Sequence, residues 1–199
     1  MQAPDTPARE AWRGYQCDTF PDGSWVSEGD MLRTVAEAAH IDLITQRQYR
    51  HFALELEWRV ASGGNSGVIY RVSEALPHAW QSGLEMQLLD DARHRDGQIP
   101  ETSAGALYGL IAPRQKVSQP IGSFNTARVV VRDSHVEHWL NDVLVVAYDL
   151  HSAAFAALVA RSKFKDLLGF AREECGHIVL QHHGDVVWFR HLHICPLPD

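Results

Sequence analysis

From His51 to Val60 the chain alternates without a break: Phe52, Leu54, Leu56, Trp58 and Val60 fall on one side, and His51, Ala53, Glu55, Glu57 and Arg59 on the other. A two-residue period with one apolar side belongs to a strand with a single buried face. It excludes a helix, whose apolar residues recur every three or four positions. Strand signatures return at Leu84 to Leu89, Ala127 to Arg132, Val136 to Leu140, Val143 to Tyr148, His177 to Gln181 and Val186 to Ile194. Ser62-Gly63-Gly64-Asn65-Ser66-Gly67 is expected to turn the first strand into a hairpin partner over Val68 to Val72. Asp133-Ser134 and Asn141-Asp142 are expected to turn between later neighbours, and His183-Gly184-Asp185 to join the last pair. Only Ser152 to Leu168 breaks the rhythm. There Phe155, Leu158, Val159, Phe164 and Leu168 recur at roughly helical spacing, which predicts one or two short helical turns ending at Gly169. Many strands, little helix and no strand–helix–strand alternation predict an all-β sandwich or barrel. Residues 1–12 read as a flexible leader and residues 13–196 as a single domain.

With 199 residues, 45% of them hydrophobic, the chain is long enough to bury a sizeable core. Its net charge of -7 argues against a general binder of nucleic acid or of an anionic membrane surface, because either needs a basic footprint. No apolar run approaches the roughly 18 residues of a membrane span. Met1-Gln2-Ala3-Pro4-Asp5 lacks the basic start and apolar segment of a secretory leader. Cys17, Cys175 and Cys195 are widely spaced without a CxxC pair, so one disulfide with a free thiol and three reduced thiols are both open.

Chemistry concentrates around Leu84 to His94. Leu84, Met86 and Leu88 supply an apolar face, while Glu85 and Gln87 face away and run into Asp90, Asp91 and His94. Polar groups this dense on a strand are costly to desolvate unless they bind one another or a ligand. On a concave sheet, Glu85, Gln87, Arg71 and Gln181 would share the face, with Asn65, Asp90, Asp91, His94 and His183 as a rim. Carboxylates, amides and an arginine make the directional bonds that sugar hydroxyls require. Trp80, Tyr108, Trp139 and Trp188 are candidates for stacking on sugar rings. Glu85, Gln87 and Asp90 stand at i, i+2 and i+5, a spacing like that of sandwich-fold endoglucanases, which carry an acid at all three positions. A bulge at Leu88-Leu89 would bring Asp90 onto the face of Glu85, where two carboxylates about 5 Å apart act as acid and nucleophile. A divalent cation held by Glu85, Asp90, Asp91 and His94 is an open alternative, as is a non-catalytic sugar-binding face. The Gly-rich Gly63 to Gly67 joins strands and precedes no helix, so it is not a phosphate loop.

Taken in order, several motifs resemble the 3-keto-disaccharide hydrolase domain family. Gly63-Gly64-Asn65-Ser66-Gly67-Val68-Ile69-Tyr70-Arg71 is similar to its GGNSG hairpin, and Glu85-Met86-Gln87-Leu88-Leu89-Asp90 to its acidic strand. Gly105-Ala106-Leu107-Tyr108, Val136-Glu137-His138-Trp139-Leu140-Asn141, Ser162-Lys163-Phe164 and Gly176-His177-Ile178-Val179-Leu180-Gln181-His182-His183-Gly184 follow in the family's order. Val187-Trp188-Phe189-Arg190 closes the match. Asp142 replaces a usual glycine, Phe124 stands where members often have Trp, and His191 where they often have Asn.

The resemblance spans roughly Trp25 to Ile194. It implies a concanavalin-like jelly-roll β-sandwich of two antiparallel sheets, a carbohydrate substrate, and a periplasmic or secreted location. The expected catalytic residues are Glu85, Asp90 and His94. Asn65, Arg71, Gln87, Tyr108, Gln181, His183 and Arg190 are expected to bind substrate. A ketone at C3 of a sugar acidifies the proton on C2, so the implied chemistry needs a base, a donor to the enolate oxygen and an acid for the leaving group. Glu85 or Asp90 would be the base, His94 or His183 the acid, and Arg71 or a cation the oxyanion partner.

Overall fold

The computed structural model describes residues 9–198. Within them, strands β1 (Trp12–Gly14), β2 (Trp25–Glu28), β3 (Met31–Thr34), β4 (Leu43–Thr45), β5 (Phe52–Val60) and β6 (Asn65–Val72) are followed by β7 (Leu84–Leu89). Then come β8 (Asn125–Arg132), β9 (His135–Leu140), β10 (Val143–Asp149), helix α1 (Ala153–Arg161), β11 (His177–Leu180) and β12 (Val187–Pro196). A five-stranded antiparallel sheet runs β1-β4-β11-β6-β7, and a seven-stranded one runs β10-β9-β8-β5-β12-β3-β2. The result is the expected jelly-roll sandwich with one short α-helix.

The period-two reading of β5 holds: Phe52, Leu54, Leu56, Trp58 and Val60 are buried. They meet Val68, Tyr70, Leu84, Met86, Leu88, Ile178 and Leu180 of the other sheet in one core. A buried polar chain crosses that core. The His138 imidazole donates from Nδ1 to the Gly105 carbonyl (3.2 Å) and accepts from the Tyr70 hydroxyl at Nε2 (2.8 Å), and Tyr70 in turn meets Tyr148 (2.6 Å). Burial pushes His138 down to about 4, so it stays neutral, and this motif histidine ties the sheets together.

Two expected pairings are replaced. The Ser62-to-Gly67 segment does not close a hairpin: β5 pairs with β8 and β12, whereas β6 pairs with β7 and β11. Its turn is an arch that carries the chain from one sheet to the other. Only Gly63 has a positive φ (73°), and Asn65, Ser66 and Gly67 already belong to β6. Likewise β11 and β12 lie in different sheets, so His183-Gly184-Asp185 is a second crossover. The β8–β9 and β9–β10 hairpins form as read, with Asp133, Asn141 and Asp142 at positive φ. Helix α1 stops at Arg161, well before Gly169; the Ser152 hydroxyl caps its start by accepting from the Phe155 N–H (3.1 Å). Trp12, inside the expected leader, is buried and opens β1, while residues 1–8 of that leader lie outside the described residues. The three cysteines are free.

Candidate active site

The outer face of the five-stranded sheet is built in rows by its register. One row is apolar: Ile44 lies opposite Val179, Val179 opposite Ile69, and Ile69 opposite Glu85. Ile44, Val179 and Ile69 form a second, smaller cluster with Val72 and Ala79, separate from the main core. One row along, Gly67 lies opposite Gln87, and the Gln181 N–H donates to the Gly67 carbonyl (3.0 Å). Asp42, just before β4, borders Gln181 and accepts the His182 N–H (2.8 Å). Glu85 thus sits where an apolar row meets a row of amides and carboxyls.

Gly67 is the floor of this site. A Cβ there would stand 2.3 Å from Glu85 Oε1, so the Glu85 side chain lies across a residue that must have none. Glu85 is only 8% exposed, and burial pushes its carboxyl up to about 8; nearby Asp42 and Asp96 push the same way, and Lys163 opposes them. Burial lowers Lys163 below the ordinary lysine range, against the pull of Glu85 and Asp96. Its Nζ lies 4.2 Å from the centre of the Tyr108 ring.

Tyr108 is brought here by the Gly105 to Tyr108 motif, which lies along the edge of β7. Gly105 N–H donates to Gln87 O, Gln87 N–H to Ala106 O, and Tyr108 N–H to Glu85 O. This covers the open edge of the sheet. The Tyr108 hydroxyl points to Asp96 (3.4 Å).

Gln87 is 1% exposed, yet neither atom of its amide has a hydrogen-bond partner among the described residues. Asn65 Oδ1 and Gln181 Oε1 are likewise buried and unpaired. An unpaired buried amide costs about 1–3 kcal/mol, so several on one small face form an arrangement suited to polar contacts from a ligand. His183 stands at the rim, and the partial burial of its ring is the main reason its imidazole is lowered; His94 and His40 add to this, while Asp185 opposes it. His94 Nδ1 accepts the Asp96 N–H (3.1 Å), which starts the short turn Arg95–Gln98.

Glu85, Gln87, Asn65, Gln181, Tyr108, His94 and His183 therefore gather around one face. Three expected members do not. No bulge forms at Leu88-Leu89, because β6 and β7 pair in unbroken register from Asn65 opposite Leu89 to Tyr70 opposite Leu84. Asp90 consequently follows the strand into the arch, where its carboxylate accepts from the Gly63 N–H (2.9 Å) and the Ala92 N–H (3.0 Å). Arg71 leaves the face because β6 bulges against β11 between Ile69 and Val72, with Arg71 at φ 56°. Its Nη2 donates to the Asp133 carbonyl in the β8–β9 turn (2.6 Å). Arg190 belongs to the other sheet, paired with Glu57 (2.7 Å) and stacked on Phe124.

The four candidate cation ligands do not converge. Asp90 is engaged by the arch, Asp91 accepts the Ala104 N–H (2.9 Å), and no group of three or more His, Cys, Asp or Glu suited to a metal ion occurs among the described residues. A cleft of about 430 Å³ lies elsewhere: Trp58, Asp91 and Lys116 line it, and Glu85 does not. Sequence reasoning missed Asp42, Asp96 and Lys163 as site residues. The Ser162-Lys163-Phe164 motif held the signal for Lys163; nothing in the sequence marked Asp42.

Residues 6–195 match the family model of the 3-keto-alpha-glucoside-1,2-lyase-like domain. A 3-keto-disaccharide hydrolase of Bacteroides thetaiotaomicron is 30% identical over 92% of this chain and 73% of its own length. A crystal structure of a candidate glycosyl hydrolase from Parabacteroides distasonis superposes with a TM-score of 0.87 at 24% identity, over 95% of this chain and 89% of that one. An endo-β-1,3(4)-glucanase of family GH16 shares the fold more distantly, with a TM-score of 0.53 at 11% identity over 98% and 87% of the two chains.

Proposed function

The chain belongs to the 3-keto-alpha-glucoside-1,2-lyase-like domain family, and from that premise we propose that it cleaves 3-keto-glycosides by elimination and hydration at Glu85. One observation carries this reading: Glu85 is buried across Gly67, raised to about 8, within electrostatic reach of Lys163 and beside the unpaired amide of Gln87. A group with that pKa takes and returns protons efficiently near neutral pH. Glu85 removes the C2 proton, and the C2–H electron pair moves into the enolate of the C3 ketone. The Lys163 ammonium faces the enolate oxygen. The enolate then expels the C1 substituent, and the departing oxygen takes the proton from Glu85. In the second half Glu85 accepts a proton from water as the oxygen of that water bonds to C1, and the proton passes to C2. The sum is hydrolysis, and Glu85 ends as it began.

Gln87 suits this route because an amide donates to a sugar oxygen without adding charge to a site that already holds Glu85, Asp42 and Asp96. A two-carboxylate glycosidase has less support, since Gln87 is no acid and both oxygens of Asp90 are occupied by backbone donors.

Product release from a 3-keto-glycoside, measured beside its unoxidised parent with and without a chelator, tests the proposal. Cleavage of the keto sugar alone is expected. Cleavage of the parent at a similar rate would favour the two-carboxylate reading, and sugar binding without any cleavage would leave a binding module.

A further inference from the structure

β7 gives the site a direction. From Glu85 the strand runs toward Gln87 and the unpaired amides. At its other end, with only Ser82 and Gly83 before Leu84, stands the short turn Ala79–Gln81. That turn presents Trp80, which is 37% exposed and one of the few large apolar side chains at the surface among the described residues. Its ring is parallel to that of His78 (9° between planes, 6.0 Å between centres), and Lys163 Nζ lies 5.8 Å from its centre.

The turn is firmly anchored. Ala79 is fully buried in the apolar cluster beside Glu85, and the Gln81 side chain accepts the His78 N–H (3.0 Å). Ser82 Oγ accepts the Ser73 N–H (3.1 Å). A rigid exposed indole loses little freedom when it packs against a ring, and flat faces of this kind favour offset stacking.

Resting on the reading of Glu85 as the proton carrier, we propose that Trp80 and His78 form the shelf for the leaving group, and that the leaving group is a planar aromatic one, as in an aryl glycoside. The keto sugar then lies over Gly67 with its hydroxyls toward Gln87, Gln181 and Asn65. Its C1 oxygen points back past Lys163 toward the indole. The polarity of the two ends supports the choice of an aromatic. The amides supply the directional contacts that hydroxyls need, while the Trp80 end offers ring faces and a cation, the contacts a π-system takes.

The test compares kcat/KM for phenyl and methyl 3-keto-glucosides with the native protein, Trp80→Ala and Trp80→Phe, alongside calorimetric binding of the unoxidised phenyl and methyl glucosides. The native protein is expected to favour phenyl over methyl by about tenfold in binding, and Trp80→Ala is expected to lower the phenyl-to-methyl ratio about tenfold in both measurements, against an intrinsic leaving-group difference that no variant changes, while Trp80→Phe keeps it. An absent phenyl preference, or one unchanged in Trp80→Ala, overturns the shelf. Trp80-dependent binding preference without turnover of either keto sugar would keep the shelf and overturn the catalytic reading.

Discussion

Glu85 is an ionisable side chain held almost wholly out of water. Its carboxyl is raised from the ordinary 4.5 to about 8, so the folded state holds a proton that the unfolded chain has lost across that interval. The stability contributed by the neutral carboxyl is complete below about pH 4.5 and is lost as pH rises toward 8. Glu85→Gln removes the charge without changing shape. It is expected to raise the melting temperature relative to the native protein by at least ~3 °C at pH 8, with a smaller gain at pH 5, as scanning calorimetry at the two pH values would read. The same change is expected to lower kcat by about 10²–10⁴-fold. Greater stability bought with lost turnover is the mark of a strained functional group.

Lys163 acts on Glu85 in the opposite sense. With the native protein, kcat/KM is expected to rise with pH as Glu85 ionises near 8 and to fall again as Lys163 loses its proton. Because the ammonium lowers Glu85, Lys163→Met is expected to move the rising limb to higher pH and to cut kcat by about 10²–10³-fold. A pH profile of that variant with an unmoved rising limb would separate the two residues. Neither the pKa of Glu85 nor its partner could be read from its neighbours in the chain. Glu85 stands out as a charged residue alternating with apolar ones, but its burial depends on Gly67, Tyr108 and Lys163, which only the fold brings together.

At the scale of elements, strands were legible and their partners were not. Alternation reports which face of β5 or β8 is buried, because the buried positions repeat every second residue. It does not report which sheet a strand joins, since both sheets of a sandwich bury one face against the same core. Gly63 to Gly67 has the composition of a hairpin and is instead an arch, and the same glycines serve either geometry. Arg71 was misplaced for a related reason: a bulge changes its side without changing its position in the sequence.

Two substitutions test this level. Gly67→Ala would force the Glu85 carboxylate aside, and turnover is expected to fall ~10²-fold while circular dichroism shows an intact sandwich. Asp90→Ala strips the arch of an acceptor for Gly63 and Ala92 and is expected to cost about 1–3 kcal/mol in denaturant unfolding. Its pH–rate profile should match that of the native protein; a profile shifted at the Glu85 limb would return Asp90 to the site.

For the molecule as a whole, the two faces of the five-stranded sheet divide the labour. The inner face closes the core against the seven-stranded sheet, with His138, Tyr70 and Tyr148 spanning the gap. The outer face is freed to hold Glu85 and its amides. If the bond to the leaving group breaks through an enolate, as proposed, the C2 proton must be lost and replaced by one from water. The direct measurement is a single turnover of a 3-keto-glycoside in deuterium oxide, kept too short for the free keto sugar to exchange on its own, with mass and NMR analysis of the released sugar. The enolate route predicts one deuterium at C2 of each released sugar, and almost no sugar released by Glu85→Gln. A product that keeps its original C2 hydrogen would mean direct displacement at C1 and would contradict it.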